Sequence, residues 1–190
     1  SNLARFRGTL LAMLVAACVS GFSARMVYPF LVVYGVEVIG LHKAEWGALQ
    51  TIAMGISTPL YLFGGMVADR FGRVPCILLA MSVLPLESIG LLFLRDFGAL
   101  AALHAVLGIE GGLGGGSLRA YDIGGPAWQA LIADIVPRRD RGKVIGLMAT
   151  LTGMINIPAP VAGAHIWENS GPNILLGASG ILGFSSVPII

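Results

Sequence analysis

Val74-Pro75-Cys76-Ile77-Leu78-Leu79-Ala80-Met81-Ser82-Val83-Leu84-Pro85-Leu86-Glu87-Ser88-Ile89-Gly90-Leu91-Leu92-Phe93-Leu94 is an apolar run in which Glu87 is the only charged residue. As one helix rising about 1.5 Å per residue, it matches the roughly 30 Å hydrocarbon core of a bilayer. Asp69, Arg70 and Arg73 stand just before it and Arg95 and Asp96 just after it, so charge is confined to its ends. The same alternation of long apolar run and short charged gap continues in both directions. Six runs result, at about 9–34, 46–68, 74–94, 97–135 (broken), 143–166 and 173–190. Backbone at bilayer depth has no water to bond to, so each run is expected to be helix. The period-two pattern of a barrel strand is absent. The expected fold class is an all-α membrane protein, a single six-transmembrane-helix bundle over residues 1–190.

Composition agrees. Only 12% of the 190 residues are charged, against about 25% for a soluble domain, and the mean hydropathy is +0.84. Too few charges exist to coat a water-facing surface, so the lipid bilayer is the expected solvent. A net charge of +2 gives no reason to invoke nucleic acid. Cys18 and Cys76 lie alone in separate apolar runs and suggest neither a disulfide framework nor a metal site. Arg5 and Arg7 before the first run imitate a signal peptide, but the run is too long and lacks a small-residue cleavage site.

Lysine and arginine set the expected orientation. Arg5 and Arg7, Arg70 and Arg73, and Arg138, Arg139, Arg141 and Lys143 fall in alternate gaps, which six spans place on one face; Lys43 and Arg95 fall on the other. The basic face should be cytoplasmic, with both termini there, in a multi-pass protein of the cell membrane.

The fourth run is unusual. Phe97 to Ile135 would be about 58 Å long as one straight helix, nearly twice the bilayer core. It is interrupted by Gly111-Gly112-Leu113-Gly114-Gly115-Gly116 and by Gly124-Gly125-Pro126. A break is expected there, then a short helix from Ala127 to Ile135 ending at Pro137. No Gly-Lys-Ser/Thr follows the glycines, so a phosphate loop is not indicated. Gly108 with Gly112, Gly111 with Gly115, and Gly142 with Gly146 have the four-residue spacing that lets membrane helices approach closely.

Between the second and third runs the chain reads Gly65-Met66-Val67-Ala68-Asp69-Arg70-Phe71-Gly72-Arg73. This resembles the signature loop of the major facilitator superfamily, Gly-x-x-x-Asp-Arg-x-Gly-Arg, in the family's position after the second helix. Val74 stands where a further basic residue is usual. Leu100, His104 and Gly108 are similar to the family's helix 4 pattern, with His104 in place of its arginine. Ala159-Pro160-Val161-Ala162-Gly163-Ala164 resembles a degenerate form of the helix 5 pattern associated with antiporters. Residues 116–123 look like an insertion relative to the family. The resemblance implies one six-helix half of a twelve-helix transporter. Tyr34–Leu41 and Ala44–Gly47 fit either half, while Ser1 and the end inside the sixth run lean toward a fragment, the C-terminal half.

Charged groups inside spans cost a few kcal/mol each and ask for a reason. Arg25, Glu87, His104 and Glu110 are those groups and form the candidate substrate and proton pathway. By the resemblance, helices 1 and 4 line the cavity, so Arg25 would bind an anionic group or pair with an acid. Glu110 would exchange a proton, with His104 able to serve the same role. The plainer alternatives are an Arg25–Glu87 ion pair holding helices together and a packed, hydrogen-bonded His104. The resemblance also makes Gly65, Asp69, Arg70, Gly72, Arg73 and Asp134 a cytoplasmic gating loop. In it Arg73 pairs with Asp134, and Asp69 meets a helix N-terminus of the other half. Trp46, Trp128, Trp167 and Tyr34 are expected at membrane interfaces.

No Ser/His/Asp or Cys/His constellation has catalytic spacing, so an enzyme is not expected and no cofactor is implied. The expected function is secondary active transport of a small solute by alternating access, with proton-coupled efflux as its narrower version. The expected partners are a small-molecule solute, protons, and the other six-helix half or a second copy. The rival is a non-transporting six-helix membrane scaffold or assembly partner.

Overall fold

The computed structural model describes residues 2–112 and 126–189, and every regular element among them is helical. Helix α1 is Asn2–Val33 and widens into a π-helical turn at Tyr34–Ile39; α2 is Lys43–Phe71, α3 Arg73–Phe93 and α4 Phe97–Glu110. After residues outside the description come α5, Pro126–Ile135; α6, Arg141–Asn156; α7, Ala159–Ser170; and α8, Pro172–Ser185. A 3-10 turn, Val187–Ile189, follows α8.

Among the described residues, five stretches are long and apolar enough to cross a membrane: Gly8–Ile39, Lys43–Phe71, Arg73–Phe93, Arg141–Ser170 and Pro172–Ile189. The fourth expected span is described in pieces, as Phe97–Glu110 and Pro126–Ile135, with two π-helical residues at Gly111 and Gly112. The short second piece was expected. The rest of the glycine-rich break, with residues 116–123, lies outside the described residues.

Local signals place the helix ends. Asp96 accepts a hydrogen bond from the Ala99 backbone N–H at 3.1 Å and caps α4, satisfying a donor that the helix leaves open. Glu45 accepts from the His42 N–H at 2.8 Å at the start of α2. Gly72 has φ +94° between α2 and α3, a left-handed conformation open to glycine at little cost.

The expected fifth span, 143–166, falls within the apolar stretch Arg141–Ser170. It carries a turn at Ile157 and Pro158, between α6 and α7. Pro158 and Pro160 both lack an N–H, which leaves two nearby carbonyls without helical donors. Single prolines elsewhere, Pro29, Pro59 and Pro85, sit inside helices that continue.

Helix α3 packs along α8, α2 along α4, and α1 against α6, α7 and α8. Small residues set the α2–α4 approach: a Cβ on Gly108 would lie 2.6 Å from the Ala53 carbonyl oxygen, and one on Gly112 would overlap Leu60. Gly142 and Gly146 have the same spacing but meet nothing within 4 Å. Tyr34, Trp46 and Trp128 are packed inside the bundle rather than spread over its surface.

The described residues form two apolar cores. One gathers Met13, Ala68, Cys76, Ile77, Ile132 and Met148. The other gathers Val27, Tyr34, Trp46, Leu91, Leu100 and Leu176. Along α1, α3 and α6–α7, buried polar residues fall between the positions that feed the two cores: Ser23, then Glu87 with Ser88, then Thr152 with Asn156. On α4 and α8, His104, Glu110 and Ser179 join the same buried set.

Gly108→Val should push α2 from α4 and cost about 1–3 kcal/mol, as overpacking does. Gly146→Val, placed in open space, should cost nothing measurable. Thermal unfolding in detergent compares them, and equal melting temperatures would contradict the tight α2–α4 approach.

Candidate functional site

Two groupings bring together the residues that the sequence singles out. At one end of the bundle, α2 closes with Asp69, Arg70 and Phe71, the chain turns at Gly72, and α3 opens with Arg73. The four-residue offset puts Arg73 beside Asp69, with Nη2 3.4 Å from Oδ1. The same guanidinium pairs with Asp134 near the end of α5 and donates from Nη1 to the Ala130 carbonyl at 2.6 Å. Arg73 therefore ties the α2–α3 turn to α5. Arg70 points outward over the Phe71 ring, and a Cβ on Gly65 would meet nothing within 4 Å.

Arg141 does related work that its place in a basic run does not reveal. It donates from Nε to the Val136 carbonyl at 3.0 Å and from Nη2 to the Ala133 carbonyl. A cation over the carbonyl end of a helix is favourable both as a hydrogen-bond donor and against the helix dipole. At the opposite end, Arg95 sits over the Tyr34 ring, and the Tyr34 hydroxyl donates to Asn173 at 2.7 Å. The turns after α1, α3 and α7 thus meet at one end, and those after α2 and α5 at the other.

The second grouping is internal. Glu87, His104 and Glu110 are all buried. His104 Nδ1 lies 2.9 Å from the Leu100 carbonyl; a carbonyl only accepts, so Nδ1 carries the hydrogen and Nε2 is the other face of the ring. Nε2 is 3.8 Å from Glu87 Oε1, too long for a direct hydrogen bond and close enough for charges to interact. The Trp46 ring meets the imidazole edge-on, with centroids 5.8 Å apart. Glu110 lies within electrostatic reach of Glu87, and its Oε1 is shielded from solvent without a hydrogen-bond partner among the described residues.

Arg25 and Glu110 are the expected cavity residues. The exposed positions of α4 are Phe97, Gly98, Ala102, Val106 and Ile109, while His104 and Glu110 are buried. Arg25 is half-buried and partnered. It lies on the α1 stripe that runs through Leu11, Val15, Pro29 and Val32, all exposed.

Serines missed in the sequence complete the interior. The Ser23 hydroxyl donates to the Ser179 carbonyl at 2.6 Å, and the Ser179 hydroxyl donates back to the Ser23 carbonyl at 3.0 Å. Ser88 Oγ is 3.4 Å from Ser179 Oγ. Asn156, at the end of α6, is 2% exposed with neither amide atom bonded among the described residues. Its amide lies against Gly21 of α1, where a Cβ would come within 2.5 Å. Lone serines and asparagines in apolar helices have no distinctive spacing; shared depth across four helices was the available signal.

Comparison with known proteins gives these features a family. The chain is 32% identical over 158 residues to a Na(+), Li(+), K(+)/H(+) antiporter of Planococcus maritimus, covering 80% of this chain and 34% of that protein. It is 28% identical over 151 residues to a gallate transporter of Pseudomonas putida, covering 80% and 31%. It is 25% identical over 159 residues to a multidrug resistance efflux pump of Streptococcus pneumoniae, covering 80% and 36%. The chain therefore spans about a third of the length of these relatives. The family model of the Major Facilitator Superfamily matches residues 13–190. With its apolar helices and signature loop, this multi-pass membrane chain belongs to the major facilitator superfamily.

Proposed function

We propose that the chain is one six-helix half of a secondary transporter that moves a small solute across the cell membrane by alternating access. The broken fourth stretch, 97–135, joins the five long apolar stretches to make six crossings. The other six-helix half, or a second copy, supplies the facing wall. The end carrying Arg70, Arg73, Arg138, Arg139, Arg141 and Lys143 is the cytoplasmic end by the positive-inside bias, and both termini lie there. Nothing in the grouping of these residues calls for bond-making chemistry.

The observation that carries this reading is the buried Glu87, His104 and Glu110 cluster. A bundle that only filled the membrane would gain several kcal/mol by replacing these groups with apolar ones. Their retention makes sense if they exchange a proton as water reaches and leaves them. Proton-coupled export is the narrower form, supported by the helix 5 resemblance and by the antiporter and efflux pump among the relatives. The relatives' solutes differ widely, so the solute is set by parts they do not share.

At the cytoplasmic end, Arg73 holds the α2–α3 turn against α5 and leaves Asp69 largely exposed. That exposure suits Asp69 to meet a helix N-terminus of the opposite half, worth up to about 1 kcal/mol, and to close the inside when the cavity opens outward.

In proteoliposomes carrying an internal pH dye, Na+, Li+ or gallate added outside the purified protein should move protons. Glu110→Gln should reduce that proton flux at least about tenfold, about 1.4 kcal/mol or more in the transition state. Undiminished proton flux in the variant would remove Glu110 from the coupling path. Asp69→Asn should abolish transport while leaving expression and melting temperature near those of the parent. Normal uptake by that variant would exclude its gating role.

A further inference from the structure

Between α1, α3 and α8 lies a small cavity of about 20 Å³, lined in part by Ser20, Ser23, Pro85, Glu87, Ser88 and Ser179. A space of that size holds one water-sized species. Its polar lining is unusual because the hydroxyl hydrogens of Ser23 and Ser179 are already committed. Each donates to the other residue's backbone carbonyl, at 2.6 and 3.0 Å. Their oxygens therefore offer only lone pairs to anything else. Glu87, 8% exposed, adds a carboxylate, which when ionised is also acceptor-only. The lining thus favours an occupant that needs electron pairs.

The spacing of the oxygens narrows the occupant. Ser23 Oγ and Ser179 Oγ are 3.4 Å apart, and so are Ser88 Oγ and Ser179 Oγ. Hydroxyl hydrogen bonds prefer about 2.7 Å, so neither contact is a good one. Two oxygens at right angles around an ion, each about 2.4 Å from it, lie about 3.4 Å apart. For ligands at about 2.8 Å, as a larger ion requires, the same pair would lie about 4.0 Å apart. One carboxylate supplies one negative charge, which balances a monovalent ion and undercompensates a divalent one. We propose that this cavity binds a single dehydrated monovalent cation of sodium's size. The hydroxyl oxygens of Ser23, Ser88 and Ser179 ligate it, and Glu87 is its counter-charge.

The site stands on α1, α3 and α8 alone and does not require the transport reading. Thermal unfolding of the purified protein in detergent tests it, in NaCl, KCl or choline chloride at equal ionic strength. NaCl should raise the melting temperature saturably, KCl less, and choline not at all. Glu87→Gln should remove the sodium effect. Ser88→Ala, which deletes a 3.4 Å contact and spares the α1–α8 bonds, should raise the half-saturating NaCl at least about tenfold, about 1.4 kcal/mol. It therefore decides the matter if Glu87→Gln fails to fold. Equal melting in all three salts, or a sodium effect unchanged in Ser88→Ala, would overturn the site and leave a water-sized cavity. Sodium stabilisation without flux in proteoliposomes would keep the site and remove the transport reading. Flux without sodium stabilisation would do the reverse.

Discussion

Hydrocarbon offers no hydrogen bonds, so every polar atom at membrane depth must find its partner inside the protein. In this bundle that constraint produces a polar layer between two apolar cores. The reciprocal Ser23–Ser179 bonds are its tightest part. Each hydroxyl satisfies a carbonyl of the other helix, so α1 and α8 are joined by main chain as much as by side chain. That arrangement needs close approach, and Gly183 provides it: a Cβ there would lie 2.7 Å from Pro85 and 3.1 Å from Ser23 Oγ. The position of α1 against α6, α7 and α8 thus rests on small residues that let polar atoms reach one another.

The short helix α5 shows the same economy at the basic end. Ten residues are too few for a helix that is stable alone. Trp128, Ile132 and Val136 anchor it in one apolar core, and two arginines from neighbouring segments hold its carbonyl end. The signature loop consequently has a structural task before any gating one. Arg73 is spent on α5, whereas Asp69 keeps, among the described residues, only the 3.4 Å contact with Arg73 at an exposed position. Exposed ion pairs of this kind contribute between nothing and about 1 kcal/mol. Removing the arginine and removing the aspartate should therefore have separable consequences, one on folding and the other on transport.

What could be read in the sequence follows the range of the interactions. The apolar runs, the turn at Gly72 and the Arg73–Asp134 pairing depend on local spacing or on a motif of fixed register, and the residues quoted for them do meet. The pair Pro158 and Pro160 is equally visible, and two missing donors so close together put a turn into the apolar run around them. The rotation of α3 against α4 was not visible, because the sequence of one helix does not state which of its faces its neighbour covers. Hence the burial of Glu110, Glu87 and His104 inside the bundle could not be read from α3 or α4 alone. The serines were harder still: each is unremarkable in its own helix, and only the packing of α1, α3 and α8 makes them one lining.

Glu87 belongs to both halves of the polar layer. From α4 it is faced by His104 and lies within reach of the charge on Glu110. Toward α1 and α8 it lines the hydroxyl cavity with Ser23 and Ser179. A carboxylate that holds a proton has no charge left to hold a cation, and one that balances a cation resists protonation. Occupancy on one side of Glu87 is therefore linked to protonation on the other, and the linkage is reciprocal, since either ligand changes the affinity for its competitor by the same factor. Such mutual exclusion at a shared acid requires no long-range pathway. It requires only that one buried carboxylate stand between a small cation site and a group able to take its proton, as Glu87 does between Ser179 and His104.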